Sequence, residues 1–273
     1  MQYRGMGPDQ ARSWLAARRQ DDHTLLDVRQ DGEYAQAHLP GALHIPLGDL
    51  DGRLGELDPG RPVLAYCRSG SRSAAAAAML AARGFGDAIN LEGGLLAWEG
   101  AVAAGHGGAG LRALPADGDP ALVLARAWSM EAALGRFYAD AAAQAPPEAA
   151  ALLSRLAGFE EHHKVRLLEQ CRRTPGCAAG TDGPQAGATP PDAPLEGGLT
   201  AAEFLALHGP DLADPRGVLE AGMMFEAQAL DLYARCAARA GSPGARALFG
   251  ALADEERGHL KALGSLLDRL DRG

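Results

Sequence analysis

Two hydrophobic periods divide the chain. In the first hundred residues short apolar runs alternate with amphipathic stretches. HTLLDVR (23–29) and RPVLAYC (61–67) read as buried strands, with ARSWLAARR and SAAAAAMLAARG as helices between them. HLPGALHIP and DAINLEGG add shorter strands punctuated by Gly and Pro. Strand and helix in alternation predict an α/β domain over residues 1–106, with a parallel sheet covered by helices on both faces. The Gly/Pro-rich stretch GHGGAGLRALPADGDP follows and marks a linker at 107–118.

From residue 119 to 273 the period is helical. Four long segments open with proline at or near the first helical position: Asp119-Pro120, Pro146-Pro147, Asp214-Pro215 and Ser242-Pro243. That N–H is unpaired in any helix, so proline is tolerated there. Between the second and third lies an apolar-poor stretch rich in Gly, Pro and Ala, which predicts a long crossover at about 173–213 with one short helix, TAAEFLALHG. Two helices, a crossover and two more helices is the layout of an all-α, ferritin-like four-helix bundle.

Composition narrows the partners. The 273 residues carry a formal charge of −9, which argues against nucleic acid, since phosphate binding needs a basic face. No apolar run approaches the ~20 residues that span a bilayer, so no membrane association is expected. The first residues, MQYRGMGPDQARSW, lack the apolar core of a signal peptide, and the expected location is cytoplasmic. Cys67, Cys171, Cys177 and Cys236 include no C-x-x-C pair, so neither a disulfide framework nor a zinc site is expected. Cys171 and Cys177 flank the turn RRTPG and can pair, although two ordinary thiols near a helix end is the simpler reading.

The stretch VLAYCRSGSRSAAAAAML (63–80) raises a chemical question. Cys67 ends an apolar run and precedes a helix start, where unpaired N–H groups and the positive end of the helix dipole lower a thiol pKa and favour an anion. Arg68 and Arg72 add fixed positive charge. A chance Gly/Ser turn leaves both arginines unexplained. This segment resembles the active-site loop of the rhodanese-like sulfurtransferases. LLDVRQDGEYAQAHLPGALHIP (25–46) matches that family's Asp-Val-Arg, Glu-Tyr, His-x-Pro-Gly-Ala and Ile-Pro pattern, and NLEGGLLAWEG (90–100) matches its closing segment. The resemblance covers roughly residues 8–104. It implies that Cys67 accepts sulfane sulfur from thiosulfate or a persulfide, and that Arg68 and Arg72 bind the anionic donor. The amides of Arg68, Ser69, Gly70, Ser71, Arg72 and Ser73 would steady the persulfide charge. Asp27, Arg29 and His38 are expected to hold the scaffold. The six residues from Cys67 to Arg72 match the loop used for sulfur, whereas the related phosphatase loop is one residue longer.

The helical half contains a repeat. WSMEAALGRFYADAA (128–142) aligns with MMFEAQALDLYARCA (223–237), so Glu131 matches Glu226, and Tyr138 and Tyr233 each follow seven residues on, along the same apolar face. Two further stripes read Leu156, Glu160, His163, Leu167 and Phe249, Leu252, Glu256, His259, Leu263, each with Glu-x-x-His turned inward. Glu161, His162 and Glu255 fall off these faces and are expected in solvent. A single Glu-x-x-His fits an ordinary surface helix, but two copies, each preceded by a glutamate on an apolar face, do not. A lone buried carboxylate is costly, so these should be paired or bound to a cation. Glutamates with Glu-x-x-His pairs form the dinuclear carboxylate sites of ferritin-like proteins, and carboxylate with imidazole suits iron, or manganese, better than zinc or copper.

Over about residues 118–270 the constellation resembles the rubrerythrin branch of that superfamily. The resemblance implies two metal ions held by Glu131, Glu160, His163, Glu226, Glu256 and His259, with Tyr138 and Tyr233 nearby. Two departures stand out: no rubredoxin-type cysteine set is present, which implies an external electron donor, and the family's extra glutamate is replaced by Ala229. The expected whole is therefore a sulfurtransferase fused to a di-iron domain with oxidase or peroxidase chemistry. The alternative is a non-catalytic persulfide carrier or sensor coupled to an iron-binding bundle. A homodimer is the expected assembly.

Overall fold

The computed structural model describes residues 2–105, 114, 119–173, 177, 193–195 and 199–270. In the first half, five strands form one parallel sheet: β1 (Arg4–Met6), β2 (Thr24–Asp27), β3 (Leu43–His44), β4 (Val63–Tyr66) and β5 (Ala88–Leu91), in the order β1-β5-β4-β2-β3. Three helices connect them: α1 (Pro8–Ala16), α2 (Asp31–Gln36) and α3 (Ser71–Ala82). Successive strand residues enter opposite cores, as the period of two requires. Leu26, Val28, Val63 and Ala65 pack with Ala76, Ala77 and Leu80 of α3. Leu25, Leu64, Tyr66 and Ile89 pack with Ala11 of α1 and Tyr34 of α2. Both faces are thus covered, which is why the strands read as continuous apolar runs.

In the second half each proline-opened segment is a helix that begins at its proline. These are α4 (Pro120–Ala142), α5 (Pro147–Arg173), α7 (Pro215–Arg239) and α8 (Pro243–Leu270), with the short α6 (Ala201–His208) preceding α7. Asp119 caps α4 by accepting from the Ala121 N–H at 3.0 Å, and Thr200 and Glu203 form a reciprocal capping box on α6. α4 packs along α5 and α7 along α8, with α5 also touching α7. Among the described residues no helix is long and apolar enough to cross a membrane. The expected linker at 107–118 lies outside the described residues except for Leu114. The crossover does so over most of 174–198.

One finding differs from the sequence reading and another goes beyond it. Cys171 and Cys177 are joined in a disulfide, with Cα atoms 5.3 Å apart, rather than being free thiols. The two cysteines are six residues apart in the chain, and their Cα separation is within bridging reach. The two halves are also docked on one another. Arg19 pairs with Asp254, Arg257 Nη2 donates to Gln20 Oε1 at 2.6 Å, and the amides of Gly41 and Ala104 donate to Asp231 and Gln228. Helix α7 therefore lies against other elements on every side, and its residues from Phe225 to Ala237 are all buried. An amphipathic surface helix would keep one face wet.

Candidate functional site

The thiol loop is built where β4 ends and α3 begins. Gly70 caps α3 with φ +96°, a conformation that side chains rarely adopt, and this turns the loop back over the sulfur. Gly94 lets the closing segment approach from the other side: a Cβ there would lie 2.4 Å from the Cys67 carbonyl oxygen. The amides of Leu95 and Leu96 donate to the carbonyls of Cys67 and Arg68 at 2.8 and 2.9 Å. The Gly-Gly pair of the 90–100 motif is thus a clamp on the loop's outer backbone.

Cys67 is 1% exposed, at the floor of this cradle. The Gly70 amide donates to Sγ at 3.1 Å, and the Ser73 hydroxyl lies 3.5 Å from it. Burial pushes the thiol pKa up, but the Ser73 hydroxyl and the amides of Ser73, Ser69 and Gly70 outweigh it and hold the thiol below its ordinary range. Ser73 Oγ is also 2.6 Å from Asn90 Oδ1 and 3.2 Å from the Gly70 carbonyl. One hydroxyl proton serves three acceptors, and an ionised sulfur attracts it most strongly. Ser73→Ala is expected to raise the Cys67 pKa by about one unit. The pH dependence of iodoacetamide alkylation measures this, and an unchanged midpoint would assign the whole effect to the amides.

The rim differs from a pair of free anion clamps. Arg68, Ser69 and Ser71 are exposed, and Leu96 beside them is 69% exposed. Arg72, however, donates through both terminal nitrogens to Glu33, each at 2.7 Å. That hydrogen-bonded pair pulls the Glu33 carboxyl down to about 2 and raises Arg72, to which the Cys67 sulfur also contributes. Glu33 was present in the Glu-Tyr motif, but its partner stands 39 residues away, beyond the reach of any local pattern. Asp27, Arg29 and His38 occupy scaffold positions. Asp27 and Arg29 form a buried ion pair beside Tyr66, and His38 stacks on Tyr34 at 3.8 Å.

In the helical half the six expected ligands converge. Glu131, Glu160, Glu226 and Glu256 are each at most 3% exposed, and His163 is 5% exposed. His163 Nδ1 lies 3.1 Å from both Glu131 Oε2 and Glu160 Oε2. His259 Nδ1 lies 3.1 Å from Glu256 Oε2 and 3.5 Å from Glu226 Oε2, and the two Nε2 atoms are 3.0 Å apart. Tyr233 donates to Glu131 Oε1 at 3.5 Å. The layer sits between two apolar clusters, one including Met130, Leu167, Leu230 and Leu252, the other Leu134, Leu156, Phe225 and Leu263. Glu161 and His162 are exposed, and Glu255 pairs with Arg166 at 3.0 Å.

Charge in this layer is poorly balanced by the protein alone. Glu160 Oε1 and Glu226 Oε1 are buried and make no hydrogen bond among the described residues. Burial first, and neighbouring carboxylates second, push Glu160 and Glu256 well above the ordinary carboxylate range. Burial opposes the charge on His163, yet Glu131 and Glu160 raise its pKa to about 11. Two ligand sets, Glu131–Glu160–His163 and His163–Glu256–His259, have donor atoms all within 4.8 Å of one another. Bare carboxylate oxygens converging with imidazoles fit hard or borderline divalent cations.

Sheet order, loop and flanking motifs together define a rhodanese-like domain. The family model for the Rhodanese-like domain matches residues 11–101, and the chain belongs to that family. A sulfurtransferase of Allochromatium vinosum is 42% identical over 78 residues, which are 29% of this chain and 73% of that protein. A rhodanese-like domain protein of Staphylococcus aureus is 31% identical, over 36% of this chain and 91% of its own, with a TM-score of 0.33. The polysulfide-sulfur transferase of Wolinella succinogenes is 32% identical, over 35% of this chain and 72% of its own, with a TM-score of 0.31.

Proposed function

We propose that the protein is a sulfurtransferase in which Cys67 takes sulfane sulfur from a small persulfide, fused to a ferritin-like domain that binds two iron or manganese ions. The observation that carries the first part is the thiol itself, buried under the Gly70 amide with its pKa lowered by loop donors. The Cys67 thiolate attacks the outer sulfur of R–S–SH. The S–S bond of the donor breaks, R–S⁻ leaves, and Cys67 becomes a persulfide whose charge the loop amides receive. No external oxidant is needed, because the sulfane sulfur keeps its oxidation state. Exposure to donor followed by intact-mass measurement tests this: a gain of about 32 Da on Cys67, one sulfur, is expected. Rapid discharge to cyanide supports an enzyme, whereas a trapped adduct with negligible turnover supports the carrier reading.

The Glu33–Arg72 pair narrows the donor. With Arg72 engaged by Glu33, Arg68 is the exposed loop arginine left for the donor, which suits a persulfide of low charge better than the thiosulfate dianion. Glu33→Gln frees Arg72 and is expected to raise kcat/KM for thiosulfate about tenfold, with persulfide changed less than about twofold. An unchanged ratio of the two donors would refute the charge argument.

For the helical half the buried, unpartnered oxygens Glu160 Oε1 and Glu226 Oε1 carry the reading. Glu131, Glu160, His163, Glu226, Glu256 and His259 would hold the ions, and Tyr233 would orient Glu131. When bound, such ions supply one-electron redox chemistry toward oxygen or peroxide. The residues must surrender protons to receive them, since Glu160 and Glu256 hold theirs far above the usual range. Electrons would come from an external donor.

A further inference from the structure

The buried polar face of α7 has no role in either site, yet it is where the two halves meet. Gln228 accepts from the Ala104 N–H at 3.3 Å, and Asp231, Ala234 and Arg235 continue the same face. Asp231 is 0% exposed. Its Oδ1 accepts from the Gly41 N–H at 3.1 Å and lies 3.3 Å from His38 Nε2, while Oδ2 accepts from Arg235 Nε at 2.7 Å. A Cβ on Gly41 would lie 3.1 Å from the Cβ of Ala234. A charged side chain with no exposure, held by the Gly41 N–H and the His38 ring across a domain boundary and by Arg235 on its own helix, fixes a geometry that an apolar contact would leave loose.

What Asp231 fixes is the His38–Gly41 turn, which stands behind the sulfur loop. Within that turn the Leu39 N–H donates to Tyr66 Oη at 3.0 Å. Tyr66 is fully buried, lies 5.5 Å from the Arg29 guanidinium, and immediately precedes Cys67. Its ring is thus held by the turn, and its backbone carbonyl by the Val28 N–H at 3.1 Å. We propose that Asp231, supplied by the helical half, is a positioning residue for Cys67, acting through the His38–Gly41 turn and Tyr66. The helical half then sets the alignment of the sulfur cradle. Turnover as a readout rests on the sulfurtransferase reading; alkylation of Cys67 does not.

The groups facing Asp231 are His38 and Gly41 from the first half and Arg235 on its own helix, with Tyr34 stacked behind His38. Those facing the Cys67 sulfur are the loop amides, Ser73 and Arg72. Removing Asp231 touches none of the second set, so a change in Cys67 has to travel through the turn.

The test uses the full chain as Asp231→Ala, Asp231→Asn and, as a comparison at another part of the same interface, Arg19→Ala, which breaks the exposed pair with Asp254. Two readouts are taken: the pH midpoint of Cys67 alkylation by iodoacetamide, and kcat and KM for a low-molecular-weight persulfide. Asp231→Ala is expected to raise the midpoint by about one pH unit. It should also lower kcat about tenfold, with KM changed less than about twofold. Asn keeps an acceptor for Gly41 and should fall between Ala and the natural protein, and Arg19→Ala should match the natural protein. A natural midpoint in Asp231→Ala overturns the proposal. Equal shifts in Arg19→Ala overturn it too, because they would reflect loosened docking in general. If the Ala variant does not fold, an unshifted midpoint in Asp231→Asn overturns it. If the natural protein transfers no sulfur, the sulfurtransferase reading fails while the alkylation midpoints still decide the role of Asp231.

Discussion

Cys67→Ser is expected to abolish sulfur transfer, with kcat falling on the order of 10³-fold or more, and to leave metal content unchanged. Serine keeps the size and the hydrogen bonds of the cradle, but its hydroxyl does not ionise near neutral pH and forms no stable bond to sulfane sulfur. The cradle's amides then surround a neutral oxygen, and the mass gain expected of the natural protein should be lost. The fold should tolerate the change, since the hydroxyl finds the Gly70 amide and Ser73 in place. Turnover with thiocyanate formation in this variant would locate the nucleophile elsewhere. Cys236 is a poor candidate, because burial raises its pKa to about 12.

Glu131→Ala combined with Glu226→Ala is expected to strip the helical half of metal. Each glutamate comes from the helix paired with a Glu-x-x-His helix, so the double variant removes one carboxylate beside each histidine. Bound iron or manganese should drop from about two ions per chain by more than tenfold, read by elemental analysis of protein purified with the metal supplied. The rise in melting temperature produced by metal should vanish as well, because a ligand stabilises only the fold that binds it. The sulfur-transfer rate should be unchanged, since neither residue touches the interface face of α7. Equal metal content in the two proteins would show that the ligand set is wrong.

Much of this arrangement was legible in the sequence where spacing is short. The four helices start at their prolines, and the two strands read as apolar runs are neighbours in the sheet. Both Glu-x-x-His stripes lie inward because a period of 3.6 decides which residues share a face. Elements too short to show a repeating pattern were missed: β1 has three residues and α2 six. The pairing of Arg72 with Glu33, which changes the charge of the sulfur rim, depends on the fold bringing α2 beside α3. The docking of the halves left a fainter trace. Between Phe225 and Ala237 only Glu226, Gln228, Asp231 and Arg235 carry charge or an amide, too few for a wet face on so long a helix. A linker long enough for contact or independence left that signal undecided. The disulfide was open as an alternative, since six residues around a Pro-Gly turn permit a bridge without requiring it.

The bridge at the end of α5 governs how this protein behaves on the bench. A thiol reductant added to keep Cys67 free of stray oxidation opens Cys171–Cys177 at the same time, and also carries off any sulfane sulfur already loaded. Native thiol counting therefore samples Cys67, whose loop donors favour the thiolate, ahead of Cys236, whose pKa burial raises to about 12, and after reduction the count climbs by the two bridge cysteines. A preparation that counts high before reductant is added has lost a crosslink; it has not gained a reactive site.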